Sequence, residues 1–173
     1  DDVCGADAAG GVLLPRALGF AGRQHDFQRA QQAQPVARGY MIGSGGVMLI
    51  RASDRASSVA YPGAMPRERP DAKTYNTCPG PPDAAFKAKF LTHGLYLQAG
   101  ANAVHKLFVV VHGGREAVEV FELDARPQTP TLTWIGCAVA PDPIGLNSVR
   151  GLPDGGFIAS NFLPRGAPMN SIQ

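Results

Sequence analysis

Between His93 and Ala140 the chain passes through four short apolar runs, HGLYLQA, HKLFVVVHG, AVEVFELD and LTWIGCAVA, separated by loops that contain Gly, Pro or Asn. Runs of this length, rich in Val, Leu, Ile and Phe and cut at regular intervals by turn residues, predict strands joined as an up-and-down antiparallel meander. The 21 glycines and 15 prolines of the 173-residue chain punctuate it too often for long helices. The fold class is therefore all-β.

The second run decides how such a meander must pack. Leu107, Val109 and Val111 fall on one face and Phe108 and Val110 on the other, so both faces of the strand are apolar. A sheet patterned this way needs a neighbour on each side, which is the logic of a β-propeller blade. A weaker copy of its opening begins at Asn147, NSVRGLPDGGFIASNF, about 50 residues on, a spacing that suits propeller repeats. Upstream, GYMIGSGGVMLIRASDRASSVAYPG reads as part of an earlier blade.

About two and a half blades are present on this reading, whereas a closed ring needs about four or more. The expectation is a single partial β-propeller domain over 1–173. It comprises a first blade region with an insertion (1–62), a loop (63–83), a complete blade (84–141) and the start of the next (142–173). A small complete sandwich is the alternative that the repeat disfavours. HDFQRAQQAQPVARG, from His25, predicts a short helix or loop insertion, and the Pro-rich, charged stretch from Pro62 to Pro82 a long surface loop.

Composition excludes several functions. At 45% hydrophobic and 17% charged the chain is that of a folded protein, and its formal net charge is only +2. The arginines between Arg51 and Lys73 alternate with Asp54, Glu68 and Asp71, so no basic stripe for nucleic acid forms. No apolar stretch approaches the roughly 20 residues that span a bilayer. The start, DDVCGAD, lacks methionine, which suggests a processed product or a piece of a longer protein from which any targeting signal has gone. Cys4, Cys78 and Cys137 have no paired metal-ligand spacing; they read either as buried or free thiols or as one disulfide and a remainder, the latter favouring an extracytoplasmic location.

His93, His105 and His112 fall into none of the helical zinc patterns. His93 opens one strand, however, and His112 ends its antiparallel neighbour. Residues directly opposite on adjacent strands have Cβ atoms within about 5.5 Å, so the two imidazoles can hydrogen-bond, one tuning the other. Asn147 opens the next blade at the position corresponding to His93, and its amide oxygen is a hard donor suited to calcium. Asn161 echoes His112 on the following strand. Ser44 in IGSGG lacks the spacing of a nucleophile elbow, and Cys137, inside an apolar strand, reads as packed rather than reactive.

Taken together, FLTHGLYLQ, LFVVVHGGREAVEVFELD and LNSVRGLPDGGFIASNF resemble the six-bladed propeller superfamily of gluconolactonases, regucalcin and paraoxonase/arylesterases. The paraoxonase pattern is the most similar: His93-Gly94, Val110-Val111-His112, Val118-Glu119-Val120-Phe121 and Asn147-Ser148 follow in its order. The resemblance spans roughly residues 84–163. It implies a calcium-dependent hydrolase of lactones or carboxylic esters, with His93 as the base that activates water, His112 assisting, and Asn147 as a ligand of the catalytic calcium. It further implies an acidic ligand from the first blade, for which Asp26 in HDF is the nearest analogue, and Ser148 stands where the family places an Asp for a second calcium. By the same resemblance Cys4 would be half of a ring-closing disulfide, leaving Cys78 and Cys137 as a separate pair or two free thiols. The competing expectations are a non-catalytic propeller that binds a ligand or partner, and an incomplete, inactive fragment.

Overall fold

The computed structural model describes residues 12–14, 18–22 and 45–167. Eleven strands, one short α-helix and one 3-10 turn (Ala101–Ala103) are present among them. The all-β expectation holds at this level: the protein is mostly strand, arranged as three sheets built largely from antiparallel neighbours. The segment 25–39 lies outside the described residues, as do Asp26, Ser44 and Cys4.

The first sheet pairs β1 (Val12–Leu14), β2 (Leu18–Gly22), β3 (Val47–Arg51) and β4 (Ser57–Tyr61) in chain order, all antiparallel. After β4 come β5 (Arg67–Glu68) and the helix α1 (Ala84–Lys87), whose N-cap Asp83 accepts a hydrogen bond from the Phe86 amide at 2.7 Å.

The central sheet carries the meander, β6 (Leu91–Gln98), β7 (Val104–His112), β8 (Ala117–Asp124) and β9 (Thr131–Val139). Each of these strands is antiparallel to the next. The pattern anticipated from turn residues is thus present, with strand ends displaced by one or two residues. One element was not anticipated: β5 adds to β9 in parallel, making five strands. Backbone bonds from Arg69 N–H to Trp134 O and from Asp71 N–H to Ile135 O continue that contact. The stretch 63–83 is therefore a surface segment strapped along the sheet edge. Its composition suggests a loop because a two-residue strand leaves no periodic signal.

Side chains on β7 divide between two cores, as the double-faced pattern requires. Leu107, Val109 and Val111 join Phe121, Leu123, Leu132 and Trp134 with Val47, Leu49 and Tyr61 of the first sheet. Phe108 and Val110 join Val118 and Val120 with Leu146 and Val149 from β10 (Ile144–Gly151). Each interior strand residue from Leu107 to Val111 is fully buried, and burial of a Val, Leu or Phe side chain contributes about 1.5–3 kcal/mol.

The hairpin of β10 and β11 (Phe157–Pro164) forms the third sheet, with two register shifts between Gly145 and Val149. A two-stranded hairpin is marginal alone, and here the packing of β10 against β6 and β7 supports it. Cys78 and Cys137 are joined in a disulfide with their Cα atoms 5.2 Å apart, which resolves the alternative left open by the sequence. It fastens the strap to β9.

Candidate active site

His93 and His112 meet. Nδ1 of His93 lies 3.2 Å from Nε2 of His112, with the ring planes inclined at 60°. The register differs from simple opposition, since His112 faces Leu91 across the ladder and a β-bulge between Thr92 and Leu95 swings His93 toward it. Alternation alone places neither imidazole correctly; the extra residue in β6 does.

The turn after His112 is tight for a steric reason. Gly113 has φ of +100°, and a β carbon on it would strike the Lys89 carbonyl, while one on Gly114 would overlap the Phe86 ring. The paired glycines admit α1 and the chain leading into β6, which brings the beginning of β6 against the end of β7.

A third group, which no sequence motif marks, completes the arrangement. Glu116 is 7% exposed, and its Oε2 lies 2.8 Å from Nδ1 of His112. Its Oε1 accepts the Leu146 amide of β10 at 2.6 Å. Glu116 stands four residues after His112 across a turn, where charged residues are ordinarily solvated. Only its spacing from the Gly-Gly turn hints that it folds back.

Asn147 directly follows Leu146, so the Glu116 bond also fixes the strand that carries it. Asn147 is the fourth residue of β10 rather than its first. Its backbone packs on Gly94, the residue after His93. Asn161 is not a partner of the histidines: its Oδ1 accepts the Gly145 amide at 3.1 Å and ties β11 to β10. Ser148 and Ser160 share a hydroxyl hydrogen bond of 2.8 Å. His105 lies at the far end of β7, where its Nδ1 accepts the Gly100 amide. Cys137 is in the disulfide and is no nucleophile.

Burial, first, and the neighbouring His112, second, hold the His93 imidazole below its ordinary value, against the opposing influence of Glu116. A neutral His93 near pH 7 has a lone pair for accepting a proton. Among the described residues its Nε2 makes no hydrogen bond, and His112 is partly exposed, so the pair is open to solvent.

A metal would need more than these residues. Calcium takes six to eight oxygen ligands. Asn147 offers an oxygen of suitable hardness, whereas both oxygens of Glu116 and the Ser148 hydroxyl are already engaged. Among the described residues no cluster of three or more His, Cys, Asp or Glu side chains is grouped as metal ligands would be. Asp26, the other expected ligand, lies outside the described residues.

The chain matches no protein-family model, and no curated protein matches it.

Proposed function

We propose that the protein is a hydrolase of lactones or carboxylic esters, built as part of a six-bladed-type β-propeller, in which His93 activates water with the help of His112. The observation that carries this reading is the contact of 3.2 Å between the two imidazoles at the end of the central sheet. Three successive sheets, the central one buried on both faces, support a blade arrangement.

In the proposed reaction His93 Nε2 takes a proton from water as the water oxygen bonds to the substrate carbonyl carbon, and the carbonyl π electrons move to its oxygen. When the tetrahedral species collapses, the C–O bond to the alkoxide or phenoxide breaks and the leaving oxygen takes up the proton. General base catalysis of this kind contributes about 10²–10⁴-fold. Calcium, held by Asn147 and Asp26 in this proposal, would polarise the carbonyl when bound. Gly94 and the Glu116 bond to Leu146 keep Asn147 beside the histidine strand.

The test is turnover of a set of aliphatic lactones and aryl acetates by the wild type and by His93→Gln, with and without a calcium chelator. A loss of 10²-fold or more in the variant is expected. Unchanged turnover in the variant would exclude His93 as the base, and unchanged turnover after chelation would exclude calcium. A second reading, a non-catalytic propeller, draws on the Ser148–Ser160 hydrogen bond at the place of an implied calcium-binding Asp. Absence of calcium binding in calorimetry, together with no hydrolysis of any substrate in the set, favours it.

A further inference from the structure

We infer that Glu116 is a positioning residue that fixes the tautomer of His112, and through it selects Nε2 of His93 as the nitrogen left to act as a base. This inference rests on the hydrolase reading for its catalytic consequence, but the tautomer assignment itself stands on geometry.

One atom in this group of contacts has an unambiguous role. The Leu146 amide can only donate, so its 2.6 Å contact makes Oε1 of Glu116 an acceptor and fixes the carboxyl group's orientation. Oε2 then faces Nδ1 of His112 at 2.8 Å. Two acceptors do not approach so closely, so one proton lies between them. An imidazole facing a carboxylate through Nδ1 ordinarily donates to it, which puts that proton on Nδ1 and makes both oxygens of Glu116 acceptors.

A neutral imidazole carrying its proton on Nδ1 has a lone pair on Nε2. Nε2 of His112 therefore accepts across the 3.2 Å contact, and Nδ1 of His93 must donate. His93 in turn has its lone pair on Nε2, the atom without a hydrogen-bond partner among the described residues. One buried carboxylate thus decides the protonation of both rings, in the way that a second-ring hydrogen bond ordinarily sets a histidine's tautomer.

The same chain gives Glu116 a role during reaction. As His93 Nε2 gains a proton, its Nδ1 proton can pass to His112 Nε2, and the resulting imidazolium lies against the Glu116 carboxylate. At 7% exposure that carboxylate is poorly screened by water. Its tie to Leu146 means that the orienting group is held by the strand carrying Asn147, so the histidine pair and β10 are aligned by one side chain.

The experiment is ¹⁵N-detected imidazole spectroscopy of the whole chain above the histidine titration range, on the wild type, Glu116→Gln and Glu116→Asp, alongside kcat and KM for a responsive lactone or aryl ester. In the wild type both His93 and His112 are expected to be protonated on Nδ1. In Glu116→Gln the side-chain oxygen keeps the Leu146 amide and its NH2 donates to His112, driving the His112 proton to Nε2 and lowering kcat about 10²–10⁴-fold with KM little changed. Glu116→Asp, which keeps the charge, is expected to recover part of the loss and the wild-type tautomer. A wild-type His112 protonated on Nε2, or an unchanged tautomer and kcat in Glu116→Gln, overturns the inference, the first of these even if the variants fail to fold. If the tautomers behave as expected but no lactone or ester is hydrolysed by the wild type, the positioning role stands and the hydrolase reading falls.

Discussion

A β carbon placed on Gly94 would lie 2.5 Å from the Asn147 carbonyl oxygen and 2.7 Å from the Ser148 Cα. Both obstacles are backbone, which cannot rotate away as a side chain would. Gly94→Ala is therefore expected to push β10 from β6, separating Asn147 from the histidine pair and lengthening the Glu116–Leu146 bond. Overpacking of this kind costs about 1–3 kcal/mol. Thermal denaturation and the hydrogen-exchange rate of the Leu146 amide report it; an unshifted midpoint with an equally protected amide would show that the strands are not so closely apposed.

Glu119 illustrates a buried charge with both carboxylate oxygens engaged. It is fully buried, receives two bonds from Arg115 at 2.7 and 2.8 Å, and accepts the Trp134 indole N–H at 2.7 Å. Arg115 also donates to the Gly80 carbonyl of the strap and lies over the Phe86 ring. Glu119→Gln leaves the guanidinium without its counter-charge, and breaking such a buried pair costs about 3–5 kcal/mol. Urea denaturation should show a lower midpoint, and a change below about 1 kcal/mol would contradict the proposed weight of this network.

The disulfide between Cys78 and Cys137 spans 59 residues. Closing a loop of that size in the unfolded chain corresponds to about 4 kcal/mol in the chain-entropy model. Peptide mapping without reduction is expected to recover the two cysteines in one cross-linked species, and Cys78→Ser with Cys137→Ser should lower the melting temperature. Equal melting of the double variant and the oxidised wild type would show that the strap is held by its hydrogen bonds alone.

Stability should fall on mild acidification, in part through His93. Its folded-state pKa lies below the unfolded value, so below about pH 6.5 the unfolded chain binds a proton that the folded protein resists. The contribution is present above the unfolded pKa and is lost as pH falls toward the depressed folded value. His93→Gln removes the proton site and should flatten that part of the stability profile. Identical profiles for wild type and variant, measured by denaturant titration from pH 7.5 to 5, would exclude the effect.

Local patterning determined the meander. The alternation of Leu107, Val109 and Val111 against Phe108 and Val110 specifies a strand buried on both faces, and the structure distributes those residues between two cores. The two histidines at the ends of neighbouring strands were legible for the same reason, since antiparallel pairing brings a strand's start to its neighbour's end. What pairing could not specify was the bulge that turns His93 from a residue offset along the ladder into a hydrogen-bonding partner of His112.

Glu116, Glu119 and the strap were decided only in three dimensions. A glutamate in a turn looks the same in sequence whether it points to water or to a buried amide 30 positions away, as Glu116 does at Leu146. The parallel pairing of Arg67 and Glu68 with Thr133 and Trp134 is likewise a long-range choice with no periodic trace, as is the joining of Cys78 to Cys137. Hydrophobic period fixes which face of a strand is buried because it acts between neighbours in the chain. The partners of buried polar groups depend on which distant backbone donors the packed sheets bring within reach, and that is settled only when the chain is folded.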